Sequence, residues 1–226
     1  MPKIQAINVR KEFQGVSGQR TVAVDDLSFG IDEGECVCIV GRTGCGKSTL
    51  LSMMLGLEAP SQGRLLIDGL SPNEEFVRFR GRIAAVFQTD RLLPWRNAVD
   101  NARVGMQILG VPAGEQIKRA EHWLENLGLS RFKAAYPHEL SGGMRQRVAL
   151  ARAFSLDPEV LLLDEAFGHL DEVTAARLRA DFVSVLRQVR KTCVIVTHNI
   201  DEAIQTASRI LRSEEHTSEL QSRGLI

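Results

Sequence analysis

The chain has 226 residues, is 44% hydrophobic and 25% charged, and sets 28 Lys and Arg against 28 Asp and Glu. That composition suits a folded protein with a sizeable core, and a formal net charge of zero gives no support for a nucleic-acid partner, which calls for clustered basic surface. No apolar run approaches the ~20 residues that cross a bilayer, and the start MPKIQAINVRKEF lacks the layout of a secretory signal, so any membrane contact is expected to go through a partner.

In chain order, residues 4–31 read as an antiparallel hairpin region with turn signals at Gly15 and Gly18. The runs CVCIV (36–40), IAAVF (83–87), VLLLD (160–164) and TCVIVT (192–197) are short, rich in β-formers and bounded by turn or polar residues. They predict buried strands. Helical patterns alternate with them, which argues for an α/β core with a largely parallel sheet. The stretch from Asn97 to Ala135 is charged, helical in period and broken by Gly110, Pro112 and Gly128. It predicts a helical insertion. The chain then divides into a core of residues 1–88 and 150–211 and an inserted helical subdomain of residues 89–149. Cys36 and Cys38 share a strand face and Cys193 lies in another apolar run. These read as core packing; the spacing is too narrow for the usual zinc pairs, no disulfide framework is suggested, and a reducing cytoplasm fits.

After Val40 comes GRTGCGKSTLLSMMLG, in which Gly41, Gly46, Lys47 and Ser48 fill the pattern G-x-x-x-x-G-K-[ST]. Glycines let the backbone curl with its N–H groups inward, a nest for anionic oxygens. The helix starting near Lys47 adds its positive end. On this reading Gly41, Arg42, Thr43, Gly44, Cys45, Gly46, Lys47, Ser48 and Thr49 form a phosphate cradle. Lys47 reaches the β- and γ-phosphates and Ser48 ligates Mg²⁺. The plainer alternative is a glycine-rich turn with Cys45 filling space. Further on, VLLLDEAFGHLDE carries adjacent Asp164 and Glu165 at the end of an apolar run. Asp164 suits Mg²⁺ binding through water, and Glu165 suits polarising a water for in-line attack on phosphorus. A solvated acidic turn would look the same if no phosphate loop preceded it.

The segment LSGGMRQR (140–147) resembles the signature sequence of ABC ATPases. Ser141, Gly142 and Gly143 would present N–H groups at a helix start, which also fits a simple Ser cap. The resemblance extends over nearly all of residues 1–212. It implies a P-loop NTPase (RecA-like) core with an N-terminal antiparallel β region and an inserted α-helical subdomain. It also implies ATP and Mg²⁺ as cofactors and a head-to-tail homodimer, or a paired ATPase subunit. In that dimer Ser141, Gly142 and Gly143 would contact the nucleotide of the opposite subunit. By the same resemblance Gln88 is the glutamine that senses Mg²⁺, His198 contacts the γ-phosphate, Phe13 stacks on adenine, and Asp171 belongs to the loop after the acidic pair. The catalytic residues are then Lys47, Glu165 and His198, and the metal ligands Ser48, Gln88 and Asp164. Ala166 stands where the family usually has proline, and His169 where it has a small residue.

The run FQTDRLLPWRNAVDNARVGMQILGV is similar to the nitrate, sulfonate and taurine importer ATPases. That implies an ATP-hydrolysing subunit of an importer, peripheral on the cytoplasmic face of the membrane through transmembrane permease subunits and served by a solute-binding protein. The alternative is a non-transport ABC ATPase of DNA repair or the ribosome, although this sequence has neither a long coiled coil nor a second ATPase unit. A small-molecule P-loop kinase would leave LSGGMRQR without a role. Finally, RSEEHTSELQS (212–222) matches the translation of a common sequencing adapter. Residues 212–226 are therefore expected to be non-native and to interrupt the strand beginning RIL (209–211); the alternative is a polar helix starting at Ser213.

Overall fold

The computed structural model describes residues 1–15, 19–42, 44–168, 170–214 and 217–224, with side chains up to Arg212. Gly18, Thr43 and His169 lie outside the described residues. The first elements are strands β1 (Ile4–Gln14), β2 (Arg20–Ile31) and β3 (Cys36–Val40), helix α1 (Lys47–Met54), and strands β4 (Gln62–Ile67) and β5 (Ile83–Val86). Helices α2 (Ala98–Ala102), α3 (Val104–Ile108), α4 (Ala113–Asn126) and α5 (Gly142–Ser155) follow. The chain continues through β6 (Val160–Asp164), α6 (Glu172–Val189), β7 (Thr192–Thr197), α7 (Ile200–Thr206), β8 (Arg209–Glu214) and β9 (Thr217–Gly224). It divides into two compact units, Met1–Phe79 with Thr192–Ile226, and Arg80–Lys191.

In the first unit, β1 pairs antiparallel with β2 and with β4. This is the antiparallel region expected from the opening residues, with β4 as a third strand. The second sheet of this unit runs β7-β3-β8-β9. Its first three strands are parallel, with Cys36↔Cys193 through Val40↔Thr197 on one side of β3 and Val37↔Arg209 on the other. β3 and β7 are apolar along almost their whole length because a central parallel strand is covered on both faces; Val37, Cys38, Ile39 and all of Cys193–Val196 are at most 2% exposed. Cys38 and Cys193 are thus core residues, as read from sequence, whereas Cys36, at the start of β3, is only partly buried. β9 pairs antiparallel with β8. Residues 213 and 214 continue β8, so no helix starts at Ser213. An edge strand needs one bonded neighbour and tolerates polar side chains, which fits the sequence TSELQSRG.

In the second unit, β5 and β6 form a parallel pair, Ile83↔Val160 through Val86↔Leu163. The helices α2 to α4 occupy the stretch read as helical. Asn97 starts α2, its Oδ1 accepting from Asp100 N at 2.8 Å. Fully buried Asn101 accepts from Leu93 N at 2.7 Å and donates to Leu93 O at 3.1 Å and Arg96 O at 2.8 Å. That side chain supplies the bonds a buried turn must find, and it fixes the LLPW segment. Aromatic rings knit the interior: Trp123 stacks on Phe154 at 4.8 Å, Phe154 lies 6.1 Å from Phe182, and Phe182 meets Phe167 edge-on at 5.7 Å. Among the described residues no helix is long and apolar enough to cross a membrane.

Candidate active site

The phosphate loop joins β3 to α1 in the first unit. Gly44 and Gly46 take φ of 90° and 88°, the left-handed region that side chains other than glycine resist. At Gly46 a Cβ would also sit 2.0 Å from Ala23 O. Lys47 begins α1 and is 7% exposed. Its ammonium arches back over the loop and donates to Gly41 O at 2.7 Å and Arg42 O at 2.6 Å, with Cys45 Sγ at 3.7 Å. Ser48 and Thr49 are the next residues of α1, which has no acid in its first turn, so its positive end is left uncompensated locally.

Two other expected residues lie in this unit. Val40 pairs with Thr197, and Gly41 N donates to Thr197 O at 3.4 Å. His198 follows Thr197 directly and is exposed. The start of the loop and His198 therefore emerge side by side from the carboxyl ends of adjacent parallel strands, where open α/β sheets place ligands. Asn199 then caps α7. Phe13, on β1, is 40% exposed and carries the Lys11 ammonium 5.0 Å from its ring centroid.

The acidic pair ends β6 in the second unit. Gln88 Nε2 donates to Glu165 Oε2 at 3.0 Å, which brings together two residues chosen from separate motifs. Parallel pairing explains the meeting: Val86 lies opposite Leu163, and two residues further along both chains stand Gln88 and Glu165. Glu165 itself has φ 47°, a strained backbone of the kind concentrated at functional sites. A proline at position 166 would push the residue before it toward extended conformations; Ala166 imposes no such restriction. Asp171 accepts from Thr174 N at 3.0 Å and caps α6. Hydrogen bonding from the Thr174 side chain, and then from its backbone N–H, holds the Asp171 carboxyl below the ordinary carboxylate range.

Ser141 caps α5, its Oγ accepting from Met144 N at 3.3 Å. Ser141 and Gly142 are exposed, whereas a Cβ on Gly143 would stand 2.5 Å from Thr174 Cγ2 of α6. Sequence reading named the serine and glycines of LSGGMRQR and gave no role to the residues after them. Arg145 Nε donates to Asp90 Oδ2 at 3.0 Å, and Gln146 Nε2 to Phe87 O at 3.0 Å. The only sequence signal for these was their place inside the motif. Among the described residues no group of three or more His, Cys, Asp or Glu side chains could hold a metal ion. The oxygen donors of Ser48, Gln88 and Asp164 are of the hard type that suits Mg²⁺ completed by water and phosphate.

A glycine-rich loop entering a helix at Lys47, beside a parallel strand that ends at Thr197 just before His198, defines a P-loop nucleoside triphosphatase. The ABC transporter family matches residues 24–168. The taurine import ATP-binding protein TauB of Pseudomonas aeruginosa is 41% identical over 194 residues, covering 86% of this chain and 72% of that protein. The nitrate import ATP-binding protein NrtD of Synechococcus elongatus is 40% identical over 192 residues, covering 84% and 69%. A dimeric ATP-binding cassette in a post-hydrolysis state, bound to ADP and Pi, superposes with TM-score 0.85 at 30% identity over 99% of both chains. The chain belongs to the ABC transporter family as an ATP-binding, ATP-hydrolysing subunit. The expectations of that family, its fold and its transport branch hold, and the reading as a repair or ribosomal ATPase does not.

Proposed function

We propose that this chain energises import of a small solute such as taurine, another sulfonate or nitrate, working as a homodimer or beside a second ATPase subunit. It sits on the cytoplasmic face through transmembrane permease subunits, which a solute-binding protein supplies. The names of the import proteins it resembles and the dimeric state of the similar cassette support this reading.

The residues divide the work by their chemistry. The N–H groups of residues 41–46, the Lys47 ammonium and the α1 start hold the phosphates. Phe13 offers a face to adenine. Ser48, Gln88 and Asp164 would hold Mg²⁺, which neutralises charge on the β- and γ-phosphates when bound. Glu165 takes the proton of the attacking water as its oxygen bonds to the γ-phosphorus and the bond to the leaving oxygen of ADP breaks. His198 lies against the γ-phosphate. Ser141, Gly142 and Gly143 present N–H groups to the nucleotide of the partner subunit.

The observation that carries this reading is the bond between Gln88 and Glu165 at 3.0 Å: an amide orients the one carboxylate that chemistry nominates as base. Glu165→Gln preserves shape and removes basicity. It should leave ATP affinity intact and lower turnover by about 10²- to 10⁴-fold, the worth of a general base. Near-normal turnover in that variant would refute the assignment.

A further inference from the structure

Three side chains of α5 hold the segment around Gln88, all within the second unit. Gln146 Nε2 donates to Phe87 O at 3.0 Å, one residue before Gln88. Arg145 Nε donates to Asp90 Oδ2 at 3.0 Å, two residues after it. Arg152 donates to Asp90 O at 2.7 Å and Arg91 O at 2.8 Å. Gln146 is 4% exposed, so its bond to a backbone carbonyl has little water to compete with it.

Arg145 differs from the other two in what it spans. Its second nitrogen, NH1, donates to Leu140 O at 2.9 Å, the carbonyl just before Ser141. One guanidinium thus fixes the entry to the signature turn and the acid beside Gln88. Its planar fork suits a two-ended tie because both bonds are set by a single rigid group. Asp90 is held from the other side as well, since its Oδ1 accepts from Leu92 N at 3.0 Å. From Gln88 the connection continues to the Glu165 carboxylate at 3.0 Å.

We propose that Arg145 is a positioning residue: it ties the signature turn at Ser141 to the Gln88 segment, and through the Gln88 amide it sets the Glu165 carboxylate. The inference rests on Glu165 acting as base, as proposed above. Its consequence is that the signature turn, which serves one nucleotide, bears on the base that serves another. A displacement at Leu140–Ser141 reaches the carboxylate through the Arg145 guanidinium, the Asp90 carboxylate, the two residues of backbone from Asp90 to Gln88, and the Gln88 amide.

The test is steady-state ATP hydrolysis by the full chain, with kcat and KM separated, for Arg145→Gln, Gln88→Ala and the double variant. Arg145→Gln should lower kcat about tenfold with KM changed less than about twofold, because the interaction serves the chemical step. In the Gln88→Ala background the same substitution should cost less than about twofold more, since residues acting through one another are not additive. A general loss of fold would instead act equally in both backgrounds. Losses that multiply, a loss confined to KM, or an unchanged kcat would overturn the proposal. If Arg145→Gln does not fold, Asp90→Asn carries the same cycle, since the amide keeps the oxygen that accepts from Leu92 N. Glu165→Gln separates the two readings. Hydrolysis surviving that change removes the base and the tie with it. Hydrolysis lost there, with Arg145 and Gln88 losses that multiply, removes the tie alone.

Discussion

Replacing Gly46 by alanine tests the phosphate loop at its tightest point. The new Cβ would lie 2.0 Å from Ala23 O and 3.0 Å from Val24 Cγ2, at a residue with φ 88°. Two penalties follow. Holding a residue with a side chain in that backbone region costs about 1–3 kcal/mol. Relieving the clash requires the loop or β2 to retreat by about 1 Å, because backbone oxygen is not a flexible neighbour and packed interiors resist such shifts. Gly44 supplies the control. Its φ is 90°, yet nothing lies within 4 Å of a Cβ placed there, so Gly44→Ala carries only the first penalty. Urea unfolding of both variants should put Gly46→Ala below Gly44→Ala by more than about 1 kcal/mol, the scale of strain from overpacking. ATP affinity should fall further in Gly46→Ala, since the retreat also disturbs the N–H nest. Equal stability losses in the two variants would refute the steric argument and leave backbone conformation as the whole effect.

Phe182 is fully buried among Phe154 and Phe167; Phe182→Ala should destabilise by about 3–5 kcal/mol, measured by denaturant midpoint. Burial pushes the Cys38 and Cys193 thiols well up, so at neutral pH neither forms the reactive thiolate. A maleimide should label the two partly exposed thiols, Cys36 and Cys45, with only Cys45 slowed by bound ATP, and should reach Cys38 and Cys193 only after denaturation; early labelling of Cys38 would contradict the packing. The cap at Asp171 has its carboxyl depressed by hydrogen bonding from Thr174, so its contribution is present above the unfolded value and is lost as pH falls through the folded one. Asp171→Ala should therefore be less stable than the parent at neutral pH, with the gap in melting temperature closing in acid; a gap independent of pH would show that the carboxylate is not its source.

The central parallel strands were legible because burial on two faces writes a nearly unbroken apolar run, as in CVCIV and TCVIVT. The start of α5 was legible because a serine cap acts on its own neighbours, three residues away. β4 was not, since GRLLI gives no sign that its partner is β1 and not the adjacent β3. Bonds between distant side chains were equally silent: Arg145 and Asp90 stand 55 residues apart, and nothing local to either names the other. The left-handed backbone of Glu165 had no sign in the sequence, since Ala166 only leaves that conformation open.

The central bond of the site falls between these cases. Gln88 and Glu165 were each nominated by motif, and each lies just past a predicted strand, but their separation of 77 residues carries no meaning in sequence. It acquires one from the sheet. β5 and β6 pair in parallel with the same offset, Val86 against Leu163, so continuing both strands by two residues brings amide and carboxylate abreast. A parallel register fixes which residues emerge together at the carboxyl edge, and a slip of one residue would turn either side chain to the opposite face. The contact between the proposed base and its orienting amide is thus a consequence of strand register. Substitutions that shift β5 against β6, at Ala84 or Leu161 in the buried center of the pair, should reduce turnover without touching a single residue that meets ATP.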